Sequence, residues 1–222
     1  MRYRPAALAA LAAVLAGTAF AAATLTSPPP GARVSTSRPT FSWTLPGNER
    51  SEELDIADAP DLETTGSFVS ANVVQVAVFR NDERQWTATS PLYAGHYWWL
   101  VQSSDPNSLD NHYSAPTDFT VPVSLSILPI RTVRSTYLNL LVMKVRWTAN
   151  VHTLTLRLRL LRKKRVIWKQ TESEPNLIGS TGAKTVGWYR PRGIKRGARL
   201  TLQATLLAGG AKKTRIHVVR AP

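Results

Sequence analysis

The chain has no cysteine in its 222 residues. That excludes disulfide staples, thiolate metal centres and a cysteine nucleophile. Stability must come from packing and hydrogen bonding alone, which a domain of about 100 residues can supply and a much smaller one struggles to. The four histidines, His96, His112, His152 and His217, never fall at metal-ligand spacing, so no metal site is expected. Nucleophile elbows, phosphate loops and dinucleotide fingerprints are missing. Serine, histidine and aspartate all occur, and a triad is made by geometry, which spacing does not exclude. The expectation is a protein without catalytic residues and without a cofactor.

Acidic charge is scarce in one half. From Pro122 to Pro222 there are 21 Lys and Arg against two acids, net +19, whereas Thr24 to Val121 carries five against twelve, net −7. Such a split bears on partners and not on fold. Long hydrophobic runs are scarce too. The one present, Ala6 to Phe20, follows Arg2 and Arg4 and precedes the small-x-small triplets Ala19-Phe20-Ala21 and Ala21-Ala22-Ala23. Residues 1–23 therefore read as a signal peptide, with a retained anchor as the alternative, although the run is short for about 30 Å of hydrocarbon. No cysteine follows for lipid attachment, and no transmembrane span is expected in the mature chain. The expected location is secreted, extracellular or cell-wall associated.

What the sequence does have is strict alternation. Pro39-Thr40-Phe41-Ser42-Trp43-Thr44 puts both aromatics on one side, as a half-buried strand requires. Glu53-Leu54-Asp55-Ile56-Ala57 repeats the pattern with its acids outward, and Val73 to Val78 is β-branched. Gly95 to Ser103, fenced by Pro91 and Pro106, reads as the central strand, with Tyr97, Trp99 and Val101 inward and Trp98, Leu100 and Gln102 on the other face. In the basic half, Leu141, Met143, Val145 and Trp147 alternate, as do Leu154, Leu156, Leu158 and Leu160; a helix would scatter those leucines around its circumference. Arg162-Lys163-Lys164-Arg165 and Gly209-Gly210 are read as hairpin turns, and His217 as pointing outward on the last strand. The fold class expected is all-β: two tandem antiparallel sandwiches, residues 24–121 and 122–222, after the signal segment.

The blocks Pro39-Thr-Phe-Ser-Trp43, Leu54 to Ala57, Leu92-x-x-Gly95-x-Tyr97-x-Trp99-x-Val101, Asp105 and Ser114-Ala115-Pro116-x-x-Phe119-x-Val121 resemble a bacterial fibronectin type III-like domain. Tyr97 takes the place of the strand tyrosine of such domains. Where Leu100 stands the family often has a polar residue, which points to an additional apolar patch on that face. The last two strands of the basic half resemble the ends of bacterial immunoglobulin-like repeats. These resemblances imply a sandwich architecture and no particular activity.

The basic half carries the functional signal. Lys144 and Arg146, then Arg157 and Arg159, alternate outward; Arg162, Lys163, Lys164 and Arg165 crowd one turn; Arg190, Arg192, Lys195 and Arg196, followed by Arg199, form a second cluster. These are the candidate polyanion-binding residues. With almost no acids nearby, self-repulsion is relieved by an anionic partner: a cell-wall polymer, an acidic polysaccharide or phospholipid headgroups, with nucleic acid unexpected for an exported chain. Opposite charge also allows the two halves, or two copies, to associate. A carbohydrate-binding or enzyme-accessory module is the alternative, resting on Trp86, Trp98, Trp168 and Trp188, which alternation leaves without an inward place. The loop from Asp105 to Asn111 offers oxygen ligands too few for calcium, and reads as a turn.

Overall fold

The computed structural model describes residues 22–80, 82–107 and 110–222. The segment read as a signal peptide, residues 1–23, lies outside them except for Ala22 and Ala23, and Ala23 is buried against the first core. Among the described residues no helix is long and apolar enough to cross a membrane.

Nine strands come from the acidic half: β1 (Thr24–Ser27), β2 (Ala32–Arg33), β3 (Thr40–Thr44), β4 (Arg50–Ala57), β5 (Val73–Val78), β6 (Gln85–Thr87), β7 (Gly95–Ser104), β8 (Asn111–Tyr113) and β9 (Thr117–Val121). One sheet runs β1-β3-β6; the facing sheet runs β2-β9-β7-β4-β5, with β8 also on β7. β7 is central, as its aromatic alternation predicts. Only β2 and β9 run parallel; the other pairs are antiparallel. β8 and β9 are one edge interrupted at Ser114, whose Oγ accepts from Val101 N (3.0 Å) while its own N–H donates to Val101 O (3.0 Å). Pro116 then lets the strand resume without an orphaned donor.

Eight strands come from the basic half: β10 (Leu125–Ile127), β11 (Arg131–Ser135), β12 (Leu140–Ala149), β13 (Thr153–Arg162), β14 (Arg165–Pro175), β15 (Gly182–Tyr189), β16 (Arg199–Ala208) and β17 (Ala211–Arg220). β12 carries β10 and β11 on one edge and β15 on the other, and the facing sheet runs β14-β13-β16-β17. With β8 and β9, and likewise β10 and β11, each counted as one interrupted strand, and the two-residue β2 set aside, both halves use one plan: a small sheet of first, second and fifth strands against a larger sheet holding the third, fourth, sixth and seventh. This is the fibronectin type III-like arrangement.

Each half closes on its own core. Phe41, Trp43, Leu54, Ile56, Tyr97, Trp99, Val101 and Phe119 are buried together in the first, with Phe41 against Trp99 (5.0 Å) and Phe119 (5.5 Å). Tyr97 Oη donates to Tyr93 O (3.0 Å), tying the start of β7 to the chain four residues upstream. Leu141, Met143, Val145, Trp147 and the four leucines of β13 are buried in the second. Leu100 completes the anticipated patch on the outer face of β7, where it is buried with Ala57 and Phe68 beneath Trp98 and Tyr113.

Four readings need correction. Asp55 does leave the inner core, but the loop carrying Phe68 roofs it and it is buried. The acidic run from Glu49 to Glu63 reads by sequence as a solvated face and a loop, yet Glu49 is buried. Trp188 is core, not surface. On β17 the alternation is inverted: His217 pairs with buried Leu202 and is half-buried, while Ile216 and Val218 face solvent. β17 is an edge strand, so its inner side lies at the mouth of the sandwich and takes polar groups. Arg215 Nη1 bridges that mouth to Ile127 O (2.8 Å).

The halves meet through rings and amides. Tyr93 stacks on His152 (3.5 Å, 24°), its hydroxyl accepts from Ile178 N (3.4 Å), and Ala94 N donates to Asn150 O (2.6 Å). The Asn150 side chain braces the connection, donating to Pro122 O (2.9 Å) and accepting from Ser124 N (2.7 Å). The β12–β13 turn and the β14–β15 loop therefore mark the near end of the second sandwich.

Candidate functional site

Strand direction decides where the bases go. The β13–β14 hairpin, the β11–β12 hairpin and the β15–β16 loop all lie at the far end of the second sandwich. Hydrogen bonds knit them together. Arg162 Nη1 donates to Gly193 O (3.4 Å); Arg190 donates from Nη1 to Ile194 O (2.6 Å) and from Nη2 to Asn139 Oδ1 (2.8 Å). The structure thus brings Arg162, Lys163, Lys164 and Arg165 together with Arg190, Arg192, Lys195 and Arg196. Arg190 is a cross-tie rather than a free cation, and Arg162 is partly one. Lys163, Lys164, Arg165, Arg192, Lys195 and Arg196 are exposed.

The other four candidates lie elsewhere. Arg157 and Arg159 are on the outer face of the large sheet, beside Lys169 of β14, whereas Lys144 and Arg146 are on the outer face of the small sheet. Sequence reading did not single out Lys169, because only register reveals it. Register also shows how the bases face one another. Arg162 is directly opposite Arg165, Arg159 opposite Lys169, Arg199 opposite Arg220, and Arg131 opposite Lys144. Directly opposed like charges destabilise a sheet. The half's two acids give no relief there: Glu172 and Glu174 both close on Lys184 across the gap between β14 and β15, the latter at 3.1 Å. The Lys184 ammonium holds the Glu172 carboxyl down at about 2, helped by a hydrogen bond from the Gln170 amide. The same carboxylates push the Lys184 ammonium upward.

The turn at the far end is unusual. Lys163 and Lys164 both adopt positive φ (48° and 69°), the geometry that Gly209 and Gly210 adopt in the β16–β17 hairpin (49° and 78°). Lysine reaches that region at a cost of about 1 kcal/mol per residue; glycine reaches it freely.

Elsewhere the polar constellations are structural. Ser103, Glu49 and His112 are linked, but the glutamate sits between the other two, accepting from Ser103 Oγ (2.5 Å) and pairing with His112 Nδ1 (2.8 Å), and Ser103 is buried. A hydrolytic triad instead puts the histidine on an accessible serine. His96 stacks on Trp98 (4.5 Å) and bonds Asp118 (3.0 Å). Asp105 Oδ1 accepts from Asn107 N (2.8 Å), closing a turn. Among the described residues, no three acidic or histidine side chains converge to hold a metal ion. Burial, with a hydrogen bond and repulsion from Glu53, raises the Asp55 carboxyl to about 7. The tryptophan platform thins out: Trp188 is core, Trp86 stacks on Phe41 (5.9 Å), and Trp98 and Trp168 are half-buried.

No family model matches the chain, and no curated protein does either. Among solved structures, a two-domain fibronectin type III segment from chicken tenascin is 11% identical, with 90% of this chain and 97% of that one covered and a TM-score of 0.47. A β-glucuronidase from Parabacteroides merdae is 10% identical over 82% of this chain and 27% of its own, with a TM-score of 0.34. An α-L-rhamnosidase from Dictyoglumus thermophilum is 11% identical over 90% and 29%, with a TM-score of 0.31. The chain spans under a third of either enzyme.

Proposed function

We propose that this is an exported, non-enzymatic binding or structural protein whose second sandwich docks on an anionic polymer of the cell surface, through its far end and the adjoining face of Arg157, Arg159 and Lys169. The observation that carries this reading is base set against base at four cross-strand positions, in a half whose two acids are both held by Lys184. A strand pair gains from opposite charges and loses from like ones, so an anion lying across each pair converts a cost into an attraction. The lysine turn points the same way, since strained backbone is retained where the side chains are needed. Export rests on the signal segment. Cleavage after Ala21 would leave Ala23 in the first core.

The test is retention of the full chain on polygalacturonate and on polyphosphate across a salt series. Neutralising about five anionic groups makes log affinity fall with log salt at a slope near −4.5 on a DNA-like polymer. Replacing Lys163, Lys164 and Arg165 by alanine should flatten that slope by about 2.7, near 0.9 per lost contact. Retention that ignores salt, or a triple variant that binds as the parent does, overturns the reading.

A further inference from the structure

The far end is not only basic. Tyr137 is 93% exposed, Tyr189 68%, Val133 67% and Leu138 54%. All four share one corner. Tyr137 and Leu138 form the β11–β12 turn, which Ser135 Oγ steadies by accepting from Leu138 N (3.3 Å). Tyr189 is paired with Leu140 beside that turn. Val133 is paired with Val142 one row behind it. Trp188 and Leu141 point into the core, so Tyr189, Leu140 and Val142 point out. Leu140 spreads over Gly187, where an added Cβ would be 3.2 Å from its methyl. The next row inward is the opposed pair Arg131 and Lys144. Across the end lie Arg192, Lys195 and Arg196.

Turns between exposed strands are normally polar. A tyrosine and a leucine at the tip of one, with bases before and behind, have no use on a polymer that offers only charge. We propose that this corner is a membrane-interface wedge: Tyr137, Leu138 and Tyr189 enter the headgroup region of an anionic lipid surface, while Arg131, Lys144 and Arg192 contact lipid phosphates. Tyrosine suits that depth because its ring is apolar and its hydroxyl stays wet. Tyr137 stands almost wholly clear of the turn that carries it, which fits a soft surface that yields around it. Either signal alone binds weakly; an apolar insert and a basic patch together hold. The cationic half of this inference rests on the docking reading above; the apolar half does not.

The cysteine-free chain makes the test direct. Leu138→Cys and, at the opposite end, Leu177→Cys each give a unique site for an environment-sensitive fluorophore. On phosphatidylcholine vesicles containing phosphatidylglycerol, the label at 138 should brighten and shift to the blue, while the label at 177 should not change. Tyr137→Ser with Leu138→Ser should weaken partitioning onto those vesicles about tenfold. It should leave polygalacturonate retention and thermal stability as they were, since both side chains are outside the cores. Pure phosphatidylcholine vesicles should bind neither protein. A label at 138 that stays unchanged, or a double variant that partitions like the parent, overturns the wedge. Polymer retention without vesicle binding overturns the wedge and leaves the docking reading standing; failure on both surfaces overturns both.

Discussion

The two sandwiches share a strand plan and treat their outer faces in opposite ways. In the first, the loop after β4 folds back over the large sheet, burying Leu100, Ala57 and Phe68 and trapping Asp55 beneath it. In the second, the corresponding face is bare and carries Arg157, Arg159 and Lys169 among threonines and Gln203. The common plan follows from inward alternation, which either sequence satisfies with different residues. The exteriors are free of that constraint, and the two halves differ there in charge. Function in such folds belongs to the surface and not to the scaffold.

The sharpest way to break the comparison is to empty each core in turn. Trp99→Ala and Trp147→Ala should each cost about 3–5 kcal/mol. Because the two rings belong to separate clusters, each loss should stay within its own half, leaving the other unchanged within about 0.5 kcal/mol. Amide hydrogen exchange read by mass spectrometry reports the halves separately. Equal loss of protection in both would mean that the Tyr93–His152 joint makes them one cooperative unit.

A smaller effect separates two strand glycines. A Cβ on Gly182 would meet the Trp147 ring at 2.3 Å, whereas one on Gly95 would meet the Tyr97 ring at 3.4 Å. Trp147 lies across its β15 partner and needs that position empty. Gly182→Ala should therefore destabilise by about 1–3 kcal/mol in chemical denaturation, and Gly95→Ala should stay within about 0.5 kcal/mol of the parent.

The acids differ between the halves as the faces do. Burial, chiefly, pushes the Asp55 carboxyl up to about 7, well above the usual carboxylate range. Its folded form thus favours the proton. The stability this contributes is complete below about pH 4 and is lost as pH rises through 7. Asp55→Asn should raise the melting temperature at pH 8, by an amount worth roughly 2 kcal/mol, discounted because Glu53 supplies part of the effect, and should change little at pH 4. The half-buried Glu172–Lys184 contact carries the opposite sign, and Glu172→Gln should be felt weakly and less at high salt. Melting curves from pH 4 to pH 8.5 separate the two; an Asp55→Asn protein with the parent's pH slope would refute the buried-carboxyl account.

The cores were legible because alternation is local. Phe41, Trp43, Tyr97, Trp99 and the leucines of β13 could be placed inward from their spacing alone. What escaped depends on partners distant in sequence. Trp188 looked free because β15 is broken by Gly182 and Gly187, which weaken its apolar rhythm, and only pairing with β12 turns the ring inward. Asp55 looked solvated because nothing in its own strand reveals a roof. β17 inverted because an edge strand answers to the mouth of the sandwich more than to the core. The opposed base pairs needed register, and Tyr137 and Leu138 needed the knowledge that they occupy a turn. A trace of the last was present: apolar residues between two alternating runs are out of place.

The smallest effect discriminates best between scaffold and function. The hairpins β13–β14 and β16–β17 belong to one sheet and turn through the same left-handed geometry, one with two lysines and the other with two glycines. Had stability alone chosen the residues, both would carry asparagine or glycine. Replacing Lys163 by Asn and Lys164 by Gly removes about 1 kcal/mol of backbone strain per position, so the variant should unfold at higher denaturant by about 1–2 kcal/mol. It also removes two charges from a tip where Arg162 already opposes Arg165, which adds to the gain at low salt. The same variant should lose polymer affinity, flattening the salt slope by about 1.8. A protein that becomes steadier and binds less assigns the lysines to the ligand. One that becomes steadier and binds as before leaves the turn as unexplained strain and counts against docking through the far end.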